Sequence, residues 1–78
     1  MSDHILAIDQ GTSATKAALV DAAGAIVAQA SAPLALATPR PGWVEQDARE
    51  IWAGVRAAVA ACLDGRDPGR VAAVGLSN

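Results

Sequence analysis

The chain has 78 residues, a length that makes at most one small domain and leaves a large share of its surface wet. Its formal charge is −2, and the Lys and Arg residues are scattered from Lys16 to Arg70 without forming a stripe, so nucleic acid is excluded as an expected partner. Hydrophobic residues make up 53% of the chain, but alanine dominates them; with two Trp and no Phe or Tyr, the core is expected to be thin and to rest on a few large side chains.

Ile5, Leu6, Ala7 and Ile8 form a short continuous apolar run, and a buried strand is expected over His4 to Asp9. No basic region precedes that run, and Asp9 interrupts it before a secretory hydrophobic segment would be complete. Asp21, Gln29 and Pro33 break up the alanine-rich middle, so no stretch approaches the ~20 apolar residues of a membrane span. A soluble, cytoplasmic protein without a membrane partner is therefore expected. Gly11 permits a sharp turn, and Thr15 to Val20 reads as a strand returning antiparallel to the first. Asp21-Ala22-Ala23-Gly24 is a hairpin signal, with Asp to bond the local backbone and Gly to supply a positive φ. Ala25 to Ala32 reads as a third strand, with Ile26, Ala28 and Ala30 on one face and Val27 and Gln29 on the other; Pro33 ends it or sits at its edge.

Pro39, Pro41 and Gly42 forbid a long helix between Pro33 and Gln46 and mark an irregular connection. Asp47 then opens a helix as its N-cap, with Glu50 in the position of a capping-box partner. Ile51, Val55, Ala58, Val59 and Cys62 recur at helical spacing as one apolar stripe, and Trp52 beside them is expected in the core. Cys62 is the single cysteine, which rules out an intrachain disulfide, and it is expected to pack as a small apolar residue. Gly65 stands where a C-terminal glycine cap belongs, and Pro68 prevents resumption of the helix. Arg70 to Ser77 reads as a fourth strand whose run Val71 to Leu76 suits burial on both faces. A strand reached through a helical crossover is expected to be parallel to its neighbour, and a single helix leaves one sheet face without cover. The chain therefore reads as the front piece of a larger protein.

The segment Ile8-Asp9-Gln10-Gly11-Thr12-Ser13-Ala14-Thr15-Lys16 carries the chemistry. It places a carboxylate, a glycine, three hydroxyls and a lysine at the tip of an apolar strand, a combination suited to a metal-bound nucleotide phosphate. An arbitrary Asp-x-Gly is more often a plain turn cap; the neighbouring hydroxyls and the downstream segments favour a binding role here. Lys16 reads equally well as a solvated strand residue. His4 has no carboxylate or cysteine at ligand spacing and reads as an exposed strand start, and neither Glu45 nor Asp47 is given a catalytic role. Neither the Walker glycine-lysine string nor the Rossmann glycine string occurs.

Strand, Asp-Gln-Gly-Thr-Ser turn, strand, Asp-x-x-Gly hairpin and third strand together resemble the first phosphate-binding motif of the ribonuclease H-like ATPases, among them sugar kinases and actin. Pro41-Gly42-Trp43-Val44-Glu45-Gln46-Asp47, followed by Glu50-Ile51-Trp52, resembles the matching segment of the FGGY carbohydrate kinases, the glycerol kinase-like members most closely, and Val74 to Asn78 is similar to their next strand. The resemblance implies an α/β, ribonuclease H-like (actin-like ATPase) fold, present in part, with β-β-β-α-β order and a mixed sheet. Residues 1–78 would be the N-terminal portion of the first FGGY kinase domain. The parent protein would transfer the γ-phosphate of ATP to a hydroxyl of a small polyol or sugar, glycerol first and a pentose or pentulose second. Gly11, Thr12, Ser13, Ala14 and Lys16 would border the nucleotide phosphates, and Asp9 would act near Mg²⁺ through water. Lys16 stands where glycerol kinases commonly carry arginine. No general base falls within these residues, so the fragment alone is expected to be inactive. A non-catalytic lobe that associates with another chain stands as the alternative, with a ribonuclease H-like metal-dependent nuclease behind it; a homo-oligomeric full-length protein is left open.

Overall fold

The computed structural model describes residues 3–11, 13–34 and 48–77. Its elements follow the order strand β1 (His4–Gln10), β2 (Ala14–Val20), β3 (Ile26–Pro33), helix α1 (Ala48–Cys62), a one-turn 3-10 helix (Pro68–Arg70) and strand β4 (Val71–Ser77). The proposed helix cap at Asp47 and the Pro-rich connection before it lie outside the described residues.

The four strands form one sheet in the order β3-β2-β1-β4, with β1 and β2 antiparallel, β2 and β3 antiparallel, and β4 parallel to β1. The mixed sheet follows from connection length. Two short turns join the meander, whereas β4 is reached through the helical crossover that a parallel neighbour requires. At the tip of the β2–β3 hairpin, Asp21 does the work the sequence assigns to it: its Oδ1 accepts from the N–H groups of Ala23 at 3.0 Å and Ala25 at 2.9 Å, and Gly24 adopts a φ of +85°. Gly65, with a φ of +72°, ends the turn after α1, and Pro68 then starts the 3-10 helix under a cap from Asp67, whose Oδ1 accepts from the Gly69 N–H at 2.9 Å.

The core lies between α1 and the β2–β3 half of the sheet. Leu6, Ile8, Ala17 and Leu19 from the strands meet Ala58 and Cys62 from the helix, with Ala28, Ala30, Ala32, Val55 and Val59 packed around them. The buried face of α1 is Gly54, Ala58 and Cys62, spaced four residues apart, so a row of small side chains lies against an alanine-lined sheet and the backbones approach closely. Gly54 was not part of the expected stripe because it carries no apolar side chain; it is buried because a Cβ there would stand 3.4 Å from Thr15 Oγ1 and 3.6 Å from Leu34 Cδ2. Burial pushes the Cys62 thiol above its ordinary pKa, which fits the packing role expected of it.

Four expectations need correcting. Trp52 is 61% exposed, because it leaves the helix on the side away from the sheet. Strand β4 is not buried on both faces: Val74 and Leu76 are 60% and 74% exposed, since α1 covers β2 and β3 and stops short of β4. Ile26 does not share a face with Ala28 and Ala30. The register slips between Leu19 and Val20, where Leu19 pairs with Ala28 and Val20 with Ile26, so Val27 is the extra residue of a bulge; it packs on the core while Ile26 turns outward. His4 is not an exposed strand start either. It is half-buried and hydrogen-bonded to the Asp3 carboxylate, which Arg70 also grips through Nη2 at 2.8 and 3.1 Å. Those bonds, Arg70 first and then His4, hold the Asp3 carboxyl below the usual carboxylate range.

The close seating of α1 sets a size limit at position 54. Gly54→Ala is expected to be neutral or to stabilise by up to ~1 kcal/mol through helix propensity, since the added methyl stays at ordinary contact distance. Gly54→Leu is expected to destabilise by about 1–3 kcal/mol, as overpacking lifts the helix from the sheet. Urea unfolding midpoints of the two variants distinguish a seated helix from a loosely docked one.

Candidate functional site

Strand β1 ends in a tight turn. The Gly11 N–H donates to the Ala14 carbonyl at 2.9 Å, closing the three-residue connection 11–13 between β1 and β2. A Cβ on Gly11 would lie 3.1 Å from the Ala14 carbonyl oxygen, closer than side chains ordinarily come, so this position favours glycine for space rather than for a positive φ. The turn is also held from the residue after β3, where the Leu34 N–H donates to the Ser13 carbonyl at 2.9 Å. Thr12 lies outside the described residues; Ser13 and Gly11 are exposed at the tip.

The antiparallel register sends the candidate residues to opposite faces. Asp9 pairs with Lys16 and Gln10 with Thr15. Asp9 and Lys16 are exposed on the face that α1 does not cover, with Cβ atoms about 5 Å apart as directly opposed residues are. Along the same rung, Lys16 pairs with Ser31 on β3 and Asp9 with Ser77 on β4. The result is a polar row, Ser31–Lys16–Asp9–Ser77, running across all four strands, with the Ser77 hydroxyl reaching Asp9 Oδ1 at 3.4 Å. Beneath it the sheet face is lined by the small residues Ala7, Ala18 and Gly75, which leaves an open trough leading to the row. Because β1 and β4 are parallel, their carboxyl ends lie side by side, the end at which open α/β sheets bind their ligands.

Thr15 is a correction. Its hydroxyl, counted among the phosphate donors from the sequence, is fully buried on the helix side and donates to Gln10 Oε1 at 2.7 Å. The structure therefore brings together Asp9, Gly11, Ser13, Ala14 and Lys16, and removes Thr15 from the exposed set. Ser31 and Ser77 were missed as site neighbours. The register could have found Ser77, because a parallel β4 ending level with β1 places it beside Asp9.

The donor set tests the fit of a metal-bound nucleotide. Among the described residues no group of three or more His, Cys, Asp or Glu side chains could hold a metal ion. One carboxylate, one lysine and hydroxyls beside a glycine turn remain. That set is too sparse to cage a metal by itself, and it fits Mg²⁺, which is typically bound through one or two carboxylates together with substrate phosphates and water.

The family model for the FGGY family of carbohydrate kinases, N-terminal domain, matches residues 4–78. The chain belongs to the FGGY carbohydrate kinases. It is 45% identical over 78 residues to a glycerol kinase of Citrifermentans bemidjiense, covering 97% of this chain and 16% of that protein, and 40% identical over 80 residues to a glycerol kinase of Bacillus thuringiensis, covering 100% and 16%. Among solved structures it superposes on a xyloylose kinase from Brucella ovis with a TM-score of 0.86 at 33% identity, over 96% of this chain and 16% of that one. A gluconate kinase from Lactobacillus acidophilus gives a TM-score of 0.87 at 32% identity, over 96% and 15%. The fold is thus the ribonuclease H-like, actin-like ATPase fold, present in part. This FGGY chain spans about one-sixth of the length of the curated relatives it matches. None of the helices among the described residues is long and apolar enough to cross a membrane.

The crowding at Gly11 makes a sharp prediction for this FGGY turn. Gly11→Ala is expected to displace the Ala14 carbonyl by a few tenths of an ångström and to weaken its hydrogen bond to the residue 11 N–H, while the hydrophobic core between α1 and the sheet stays intact. Amide exchange at residue 11, beside a far-ultraviolet dichroism spectrum, checks both halves.

Proposed function

We propose that this chain is the N-terminal portion of the first domain of an ATP-dependent carbohydrate kinase, which transfers the γ-phosphoryl group of ATP to a hydroxyl of a small polyol or sugar. The single observation that carries the reading is the exposed Asp9 carboxylate at the carboxyl end of β1, beside a turn that Gly11 keeps free of side chain. Phosphoryl transfer depends mainly on positioning and on neutralising charge spread over phosphate oxygens, and this end of the sheet supplies parts for both. In this reading Gly11, Thr12, Ser13 and Ala14 border the nucleotide phosphates. Lys16 supplies positive charge from the adjacent strand as a point cation rather than a bidentate fork. Asp9 orients the water shell of Mg²⁺. When bound, Mg²⁺ withdraws charge from the phosphate oxygens. The acceptor is a polyol or sugar, with glycerol the first choice because glycerol kinases are the curated relatives named above; a pentose or pentulose is the second.

A second reading concerns the isolated 78 residues. Val74, Leu76 and Trp52 are exposed apolar side chains, and such surface favours association with another polypeptide over a catalytic role. A monodisperse monomer in size-exclusion chromatography would contradict that second reading.

In the complete polypeptide, Asp9→Asn keeps shape and removes charge. Turnover is expected to fall by about two to three orders of magnitude, with an unchanged melting temperature. Coupled detection of ADP over a panel of glycerol, pentoses, pentuloses and gluconate measures this and names the acceptor. Unchanged kinetics would take Asp9 out of the mechanism, and no ADP from any acceptor would sink the kinase reading.

A further inference from the structure

The face of the β1–β2 ladder opposite Asp9 and Lys16 carries a second cross-strand pair on its last rung. Thr15 is fully buried and donates to Gln10 Oε1 at 2.7 Å, and the Gln10 amide in turn donates through Nε2 to the Gly11 carbonyl at 3.2 Å. The order of these bonds is fixed by chemistry. A carbonyl oxygen can only accept, so the Gly11 oxygen requires the NH₂ end of Gln10, which leaves the Gln10 oxygen to take the Thr15 proton. Thr15 itself is pinned from the helix, because Gly54 brings α1 so close that a Cβ there would stand 3.4 Å from Thr15 Oγ1.

We propose that Gln10 and Thr15 are a positioning pair for the turn that follows β1: Thr15 locks the Gln10 amide, and the Gln10 amide holds the Gly11 carbonyl. This rests on the turn being the phosphate-binding element proposed above. A carbonyl oxygen facing a phosphate repels it, and occupying that oxygen from the protein side removes a competing negative dipole. A peptide group is also planar, so holding its oxygen fixes the direction of its N–H as well. The Ser13 carbonyl is held in the same sense by the Leu34 N–H. Two carbonyl groups of the turn are thereby engaged by protein donors before any nucleotide arrives, so the ordering cost of binding is met in advance. Neither Gln10 nor Thr15 needs to touch the nucleotide for this effect.

The test uses the complete polypeptide and three substitutions. Thr15→Val keeps the shape and loses the hydroxyl, Thr15→Ser keeps the hydroxyl and loses a methyl, and Gln10→Leu removes both ends of the amide. Calorimetric titration with MgATP is expected to show affinity about three- to ten-fold weaker for Thr15→Val and for Gln10→Leu, the double variant no weaker than either alone, and Thr15→Ser within about two-fold of the parent. Amide exchange at Gly11 without nucleotide is expected to quicken in the same two variants. Steady-state kinetics are expected to show the loss in KM for ATP and none in KM for the acceptor. Nucleotide affinity that follows melting temperature across the set, with Thr15→Ser as weak as Thr15→Val, would reduce the pair to packing and overturn the proposal. So would parent-like affinity in Gln10→Leu. If the parent polypeptide itself binds no MgATP, the functional reading falls and takes this one with it, a result distinct from tight binding that ignores both residues.

Discussion

The close approach of α1 to β2 and β3 is the constraint on which the rest depends. It is possible only because each side presents little: Gly54, Ala58 and Cys62 from the helix, and alanines from the strands. A thin interface of this kind buries little area per residue and compensates with proximity, since dispersion contacts are lost steeply with sub-ångström gaps. At its centre lies Thr15, a buried polar residue whose hydroxyl is satisfied by Gln10. Packing and site geometry therefore share an atom. Whatever seats the helix also sets the rung from which the turn at Gly11 departs.

The two ends of the sheet divide the labour. At the carboxyl end of β1, Asp9, Lys16, Ser31 and Ser77 stand exposed in a row with few internal obligations. At the other end, Asp3, His4 and Arg70 are committed to one another, and the Asp3 N–H donates to the Arg70 carbonyl at 3.0 Å, tying the start of β1 to the approach to β4. Arg66 reaches the Val27 carbonyl at 2.9 Å and anchors the bulged strand to the segment after α1. Polar groups that bond to each other hold the frame, and polar groups left facing water are free for a ligand.

Local chemistry was legible in the sequence wherever a single residue type has one use. Asp21 and Gly24 announced their hairpin, Gly65 the turn that follows the helix, and Asp9-Gln10-Gly11 the turn after β1, because bonding to the backbone or occupying a positive φ or a cramped site narrows the choice of residue. What could not be read was anything decided by a neighbour. The bulge at Val27 shifts the phase of β3 without any residue that signals it, so Ile26 was assigned to the wrong face. Trp52, Val74 and Leu76 were expected to be buried by a rule that presumes cover, but Trp52 leaves the helix on the side away from the sheet and the cover stops short of β4. Thr15 looked like its exposed neighbours until the register showed that even and odd positions of the turn's flanks face opposite ways.

The margins of the sheet are unequal. Strand β3 closes on Pro33, which has no N–H to offer, and its outward positions include Gln29 and Ser31. Strand β4 has no proline and no charge along Val71–Ser77, and shows water a run of valine, alanine and leucine. One margin is thus defended against recruitment of another strand and the other is not. Recruitment of another strand is therefore favoured beside β4 rather than beside β3, and β1, which bears Asp9, lies one strand in from that open margin.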